Sequence, residues 1–144
     1  MNARQVTLVQ QSFEKVAPLG EKVAEIFYDE LFAIEPSLKK MFKGDMKEQR
    51  KKLLTTLAMV VRALHTPDKI VGAAQALAVK HVAYGVAPEH YTYVGNALMR
   101  TLKKGLGAEF TQELFDAWVE AFRMLAKVMK DAAYGPASIA RGAA

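Results

Sequence analysis

The sequence predicts an all-α domain of crossed helices, and three observations carry that prediction. Apolar residues recur at helical spacing along nearly the whole chain. No stretch alternates with the period of two that a strand requires, and no fixed-period repeat is present. The joints between segments are short and the segments uneven in length, which fits crossed helices better than a regular four-helix bundle. The chain has 144 residues, 51% of them hydrophobic. That is enough for one domain with a real core and too apolar for disorder over most of its length. The domain is expected over residues 1–134, with 135–144 a flexible tail.

Seven helical segments follow in order. Val6, Val9, Phe13 and Val16 mark one face of the first, which Pro18 and Gly20 interrupt. Val23, Ile26, Phe27, Leu31 and Ile34 mark the second, and Pro36 ends it by turning Glu35 away from helical geometry. "PSLKKMF" reads as a short helical turn beginning at Pro36 or Ser37, and "KGD" as a loop. A long third stripe runs through Leu53, Leu54, Leu57, Val60, Val61 and Leu64. "HTPDK" then stops one helix and starts the next: Thr66 is the expected N-cap, Pro67 suits the first helical position, and Asp68 favours the positive helix end. Ile70, Ala74, Leu77 and His81 form the next stripe. Gly85 and Pro88 frame a restart into Tyr91, Val94, Leu98 and Leu102. "GLGAEFT" breaks the chain again, with Thr111 as N-cap and Phe110 and Phe115 placed as a hydrophobic staple across it. Phe115, Trp118, Phe122, Leu125 and Met129 mark the last helix.

Composition excludes several classes. There is no cysteine, hence no disulfide and no Cys-based zinc site, and a reducing compartment is compatible. The N-terminus lacks the apolar core of a signal peptide. No segment approaches the ~18 uncharged apolar residues of a membrane span, and a cytoplasmic location is expected. Net charge is +5, concentrated in "KEQRKK" (Lys47–Lys52) with Lys39, Lys40 and Lys43 just before it. No aromatic residues alternate with these charges and no nucleic-acid motif is present, so a solvated helix face is the reading and nucleic acid is not an expected partner.

Of the three histidines, His65 ends a helix and His90 starts one beside Glu89; both are expected to be solvent-exposed. His81 alone lies on an apolar stripe, where it is either a core residue or a ligand. HExxH, G-x-S-x-G, P-loop and GxGxxG signatures are all absent. Ser12, Ser37 and Ser138 show no partnered base, and carboxylates alternate with lysines as solvated pairs, as in "GEKVAE". The scattered histidines, without carboxylates on the buried face, suggest no non-haem metal cluster. A haem asks for less: one neutral imidazole and a broad apolar slot, which an all-α domain rich in Phe, Leu and Met can supply.

The motifs "FYDELF", "EPSLKKMF", "QRKKL", "VKH", "HYTYVGNAL" and "DAW" are each weak, but their order and spacing over residues 3–132 resemble the globin family. The similarity is greatest to single-domain bacterial haemoglobins and to the globin domain of flavohaemoglobins. The separation of Gln49 from His81, 32 residues, is similar to the distal-to-proximal separation in such globins. The resemblance implies a globin fold, crossed helices around a haem pocket, and haem b as cofactor. It makes His81 in "VKH" the proximal iron ligand and Phe42 in "KMF" the phenylalanine wedged against the haem. Tyr28 in "FYDELF" becomes the distal tyrosine, Gln49 the distal glutamine, Leu53 the apolar residue over the iron, and Tyr91 a proximal-side tyrosine. The slot is expected to be lined by Phe42, Leu53, Leu57, Leu77, Lys80, Val86, Tyr91 and Val94. The loop "KGDMKE" looks shorter than in flavohaemoglobins, and a shift of one turn would present Lys52 or Leu53 to the ligand in place of Gln49.

The same resemblance implies reversible binding of O₂, CO and NO at ferrous iron, with tight, slow-releasing oxygen binding through Tyr28 and Gln49, and oxygen binding or transport rather than catalysis. Two departures bear on turnover. Flavohaemoglobins continue into flavin and nicotinamide domains, so nitric oxide dioxygenation, the enzyme alternative, is expected to need a separate flavin reductase. The basic stretch from Lys39 to Lys52 is a possible docking face for it. Flavohaemoglobins also place a glutamate in the last helix where this chain has Ala133. Without that carboxylate His81 is expected to have less imidazolate character, which weakens the case for peroxidase-like chemistry. The remaining alternative is a non-haem helical sensor or interaction module.

Overall fold

The computed structural model describes residues 1–42, 44–83, 87 and 89–134; at 67, 76, 77, 79–83, 133 and 134 the description covers the backbone. The expected tail, 135–144, lies outside the described residues. Six α-helices follow one another: α1 (Ala3–Val16), α2 (Glu21–Ile34), α3 (Met46–Arg62), α4 (Pro67–Ala83), α5 (His90–Leu106) and α6 (Gln112–Tyr134). Three short 3₁₀ helices, Ala17–Leu19, Pro36–Met41 and Gly107–Glu109, make corners between them. There is no strand among the described residues.

The element ends follow local chemistry. Asn2 and Gln5 form a reciprocal capping box at α1. The first and last 3₁₀ corners each carry a glycine with positive φ, Gly20 at 53° and Gly107 at 58°, where a side chain would be strained. Asp45 caps α3, its carboxylate accepting from the Lys47 amide at 2.9 Å. Thr111 caps α6, accepting from the Leu114 amide at 3.2 Å. Across that cap the Phe110 and Phe115 rings meet edge to face at 6.0 Å, as the staple pattern predicts. Thr66 stands immediately before α4, which begins at Pro67 as expected, and its carbonyl accepts from the Lys69 amide at 3.0 Å. Its hydroxyl donates backwards to the Ala63 carbonyl at 3.3 Å, tying the end of α3 to the start of α4.

The apolar stripes bury as two clusters. The larger gathers Val9, Phe13 and Val16 of α1, Val61 and Leu64 at the end of α3, Ile70, Ala74 and Ala78 of α4, and Trp118 of α6. Inside it the Trp118 indole donates to the Ser12 hydroxyl at 2.9 Å, which donates to the Val9 carbonyl at 2.9 Å. Ser12, with no partner apparent in the sequence, is thus a structural link between α1 and α6. The smaller cluster joins Phe27, Tyr28 and Leu31 of α2 to Leu38 of the second 3₁₀ helix and Ala97 of α5. The principal packed pairs are α2 on α5, α4 on α6 and α1 on α6. α3 packs on α2 and α1. Its C-terminal Val60 and Val61 are buried, whereas Leu53, Leu54 and Leu57 of the same stripe are only half-buried.

Candidate ligand site between α2, α3 and α5

The site is built outward from Tyr28. Helical spacing places it beside Phe27 and Leu31 on the inward face of α2, where it is 5% exposed. Three aromatic rings surround it: Phe27 at 5.1 Å, Phe42 at 5.4 Å and Phe32 at 6.0 Å between centroids. Phe42 arrives there because Glu35 and Pro36 turn the chain. The Glu35 carboxylate accepts from the Ser37 hydroxyl at 2.7 Å and caps the 3₁₀ helix, which delivers Phe42 back against α2. Phe32 closes the wall, 5.5 Å from Phe42. Sequence reading passed over Phe32. Its signal is the i, i+4 spacing from Tyr28, which puts two rings on one helix face.

Gln49 comes from the first turn of α3. Its side-chain amide donates to the Tyr28 hydroxyl oxygen at 3.1 Å. A second link fixes the same two helices, because the next residue, Arg50, holds Glu21 of α2 at 3.0 Å. With Asp45 capping the helix just before, α3 is set on α2 so that Gln49, and not Lys52, meets Tyr28. Lys52 is exposed and Leu53 half-buried. Burial raises the Tyr28 pKa above its ordinary value of 10, against a smaller opposing effect of the Gln49 hydrogen bond. The phenol therefore keeps its proton at neutral pH. Since Tyr28 accepts from Gln49, that proton remains available for donation, and it has no acceptor among the described residues.

The structure thus brings Tyr28, Phe42 and Gln49 together, with Leu53 and Val94 packed against the same cluster. Leu57 packs against the larger cluster. Tyr91 lies on that other side too, buried near the start of α5 with the Lys130 ammonium 5.6 Å over its ring. Position 81 falls within α4, one turn beyond the buried Ala78 and two beyond the buried Ala74. The side chains of Leu77, Lys80, His81 and Ala133, and all of Val86, lie outside the described residues. His65 is exposed as expected, its Nδ1 3.4 Å from the Gln10 amide. His90 departs from expectation: it is half-buried, and its Nδ1 accepts from the Ala87 amide at 3.0 Å. An imidazole three residues after a free backbone N–H can close the turn that enters α5, and this local bond draws the ring inward. No group of three or more His, Asp or Glu side chains suited to a metal ion is present among the described residues.

Helices packed around an aromatic cluster, with a tyrosine–glutamine pair at its edge, define a class, and comparison with known proteins supplies its name. The globin family pattern matches residues 25–129, and the chain belongs to the globin family. It is similar to the flavohemoprotein of Xylella fastidiosa (strain 9a5c), 32% identical over 129 residues, covering 88% of this chain and 32% of that protein. It is also similar to the flavohemoprotein of Bordetella pertussis, 30% identical over 113 residues, covering 76% of this chain and 28% of that one. The chain therefore spans about a third of the length of the curated relatives it matches. Among solved structures, a bacterial globin from Campylobacter jejuni superposes with a TM-score of 0.80 at 26% identity, over 92% of this chain and 96% of that one. An engineered carbene transferase from Rhodothermus marinus superposes with a TM-score of 0.85 at 24% identity, over 100% and 99%. No helix of the described residues is long and apolar enough to cross a membrane.

Proposed function

We propose that this globin binds haem b and, through its ferrous iron, reversibly binds O₂ and other diatomic gases. The observation that carries the reading is the buried Tyr28 hydroxyl, held by the Gln49 amide at 3.1 Å with its own proton uncommitted among the described residues. The surroundings fit a planar apolar cofactor. Phe42, Leu53 and Val94 pack against the Tyr28 cluster and are only half-buried, apolar surface that a bound cofactor would cover. Haem supplies an iron centre that takes up a diatomic ligand and gives it partial negative charge. His81 would hold that iron from α4 through a neutral imidazole nitrogen. Tyr28 would donate its proton toward the bound ligand, and Gln49 would fix the phenol's orientation. The aromatic wall would keep water out, which strengthens such a bond.

The test is an absorption spectrum of the purified protein with haemin, ferric and then reduced, under O₂ and under CO. A strong Soret band that shifts with each gas, and that is lost or altered in His81→Gly and restored by added imidazole, is the expected result. A protein that stays colourless with haemin would overturn the reading and leave a non-haem interaction module in its place.

The name of the relatives, which couples flavin to haem, supports a second reading on the same pocket. Nitric oxide dioxygenation would use O₂ held by Tyr28 and electrons from a flavin reductase. Sustained NADH-dependent NO consumption on adding a reductase is its measurement. A single turnover with no further consumption would leave gas binding alone.

A further inference from the structure

The outer face between α5 and α6 carries a feature that the Tyr28 site does not use. Two depressions lie on it, of about 420 and 680 Å³, each of a size that holds a small molecule. Met99 of α5 and Phe115 of α6 line both, so the two run together as one groove. Its narrowness follows from the sequence. The helices approach closely where Gly95 has no side chain and the Phe122 ring lies against its backbone; a Cβ there would meet that ring at 2.7 Å. Met99, Val119 and Phe122 are half-buried and Phe115 is 36% exposed. Apolar side chains thus form a strip along the groove, open to solvent.

Charge is concentrated at one end. Arg100, Lys103 and Lys104 line the groove beside the α5–α6 corner, and Glu30 of α2 is the acid that lines it with them. Glu30 is taken by Lys104, and its contact with Arg100, 3.6 Å, is longer than a full charge-assisted hydrogen bond. Lys103 is exposed and makes no ion pair among the described residues. The other acids of the corner, Glu109 and Glu113, are held by Lys15 and Arg4 of α1. Toward the far end, Arg123 and Lys127 are matched by Glu120 and Asp131. The corner end therefore presents two cations with bonding capacity to spare beside an apolar strip.

We infer that the groove binds a fatty acid anion, its carboxylate between Arg100 and Lys103 and its chain along Phe115, Met99, Val119 and Phe122. The guanidinium fork suits a carboxylate, and the ammonium adds a second positive charge at the same point. The length of the groove sets the length of the chain. From Arg100 to Thr92, α5 advances about 12 Å, which an extended hydrocarbon covers in roughly ten carbons at ~1.2 Å each. A second copy of this protein is a poorer occupant. The strip exposes on the order of 200 Å², against the ~800 Å² per partner of a stable interface, and like charges would meet across it. The inference is independent of the haem reading, because no groove residue belongs to the Tyr28 cluster.

The experiment titrates dodecanoate, below its micelle concentration, into the intact protein held reduced under CO, with the methionine methyl groups labelled with ¹³C and followed by NMR. Met99 lines the groove, whereas Met41 and Met46 pack on the Tyr28 cluster. The Met99 signal, assigned with Met99→Leu, should shift and saturate while those of Met41 and Met46 stay in place. Affinity should rise about twofold per carbon from octanoate to dodecanoate, half the full transfer effect because one side of the chain faces water, and level off at tetradecanoate. Arg100→Gln combined with Lys103→Gln, both at exposed positions, should weaken dodecanoate at least threefold with the helical circular dichroism unchanged. Dodecyltrimethylammonium, of equal chain and opposite charge, should leave Met99 unmoved. Equal binding of the two amphiphiles, or of dodecanoate to parent and variant, would overturn the inference. Affinity that keeps climbing through tetradecanoate overturns it too, as unspecific adsorption, and so does a titration that moves no methionine. Shifts at Met41 and Met46 in place of Met99 would put the ligand at Tyr28 and reject the groove. A Met99 signal that moves on concentrating the protein alone would give the face to self-association instead.

Discussion

Gln49 donates to Tyr28, and not the reverse: the amide nitrogen sits 3.1 Å from the phenol oxygen, so the tyrosine's own proton is left for another acceptor. Tyr28→Phe is therefore expected to speed O₂ release by about ten- to hundredfold, the equivalent of the ~1.5–3 kcal/mol of a buried hydrogen bond to a charged acceptor. CO release, with a less polar bound ligand, should change by less. Flash photolysis or stopped-flow displacement measures both. An O₂ release rate that is unchanged in Tyr28→Phe removes the tyrosine from the mechanism.

Gln49→Leu should act through Tyr28. The effect on O₂ release should be smaller than that of Tyr28→Phe. The double variant should match Tyr28→Phe rather than the sum, since two residues that work as one unit are not additive. Additive rates would mean that the glutamine touches the ligand independently.

Burial raises the Tyr28 pKa, which has two consequences for pH. Its donor proton is present throughout the neutral range, so O₂ release should be flat from about pH 6 to 9 as far as this group decides it. The linked effect on stability has a definite sign. With the folded pKa above the unfolded value of 10, stability is retained below pH 10 and lost as pH rises beyond it. Tyr28→Phe should remove that alkaline loss, as followed by helical circular dichroism during base titration.

Glu30 of α2 forms ion pairs with two cations of α5, Lys104 and, at 3.6 Å, Arg100. The Lys104 hydrogen bond is the largest of the effects that lower the Glu30 pKa below its ordinary 4.5, with Arg100 adding to it. This stabilisation is present above pH 4.5 and is lost as pH falls through the lowered value. Both cations are more than half exposed, so Glu30→Gln should cost no more than about 1 kcal/mol. The unfolding midpoint should drop by a few degrees at pH 7, and the difference from the parent should narrow in acid. A constant difference from pH 7 to pH 3 would assign the loss to packing.

Much of this architecture was legible in the sequence because it is written at short range. The stripe Val9, Phe13, Val16 is buried as its spacing requires, and the staple across Thr111 forms between residues five apart. What escaped depends on partners distant in the chain. Ser12 reads as unpartnered until α6 brings the Trp118 indole across 106 residues of sequence. Glu30 reads as one more solvated acid until α5 packs on α2. Gln49 against Lys52 was a question of one helical turn, and Arg50 with Glu21 answers it. His90 was misjudged because an imidazole has a choice of nearby backbone partners, here the Ala87 amide. The role of His81 rests on position and family alone.

The Ser12–Trp118 bond offers a check on the core. Ser12→Ala leaves the indole N–H buried without its acceptor and should cost about 1–3 kcal/mol. Trp118→Phe should cost more, through lost volume. Urea denaturation with an unchanged slope would confirm that folded-state stability alone has moved; no change for Ser12→Ala would mean that water replaces the hydroxyl.

The two hydrophobic clusters give the site a divided inheritance. α4, which carries position 81, leans on α6 within the larger cluster, whereas Tyr28 belongs to the smaller one with α5. Substitutions that repack α4 against α6 therefore need not disturb the tyrosine and its glutamine. On the haem reading proposed above, these two sides of the site would drift under separate selection, and how firmly the cofactor is held and how quickly a gas escapes would be tuned as independent traits.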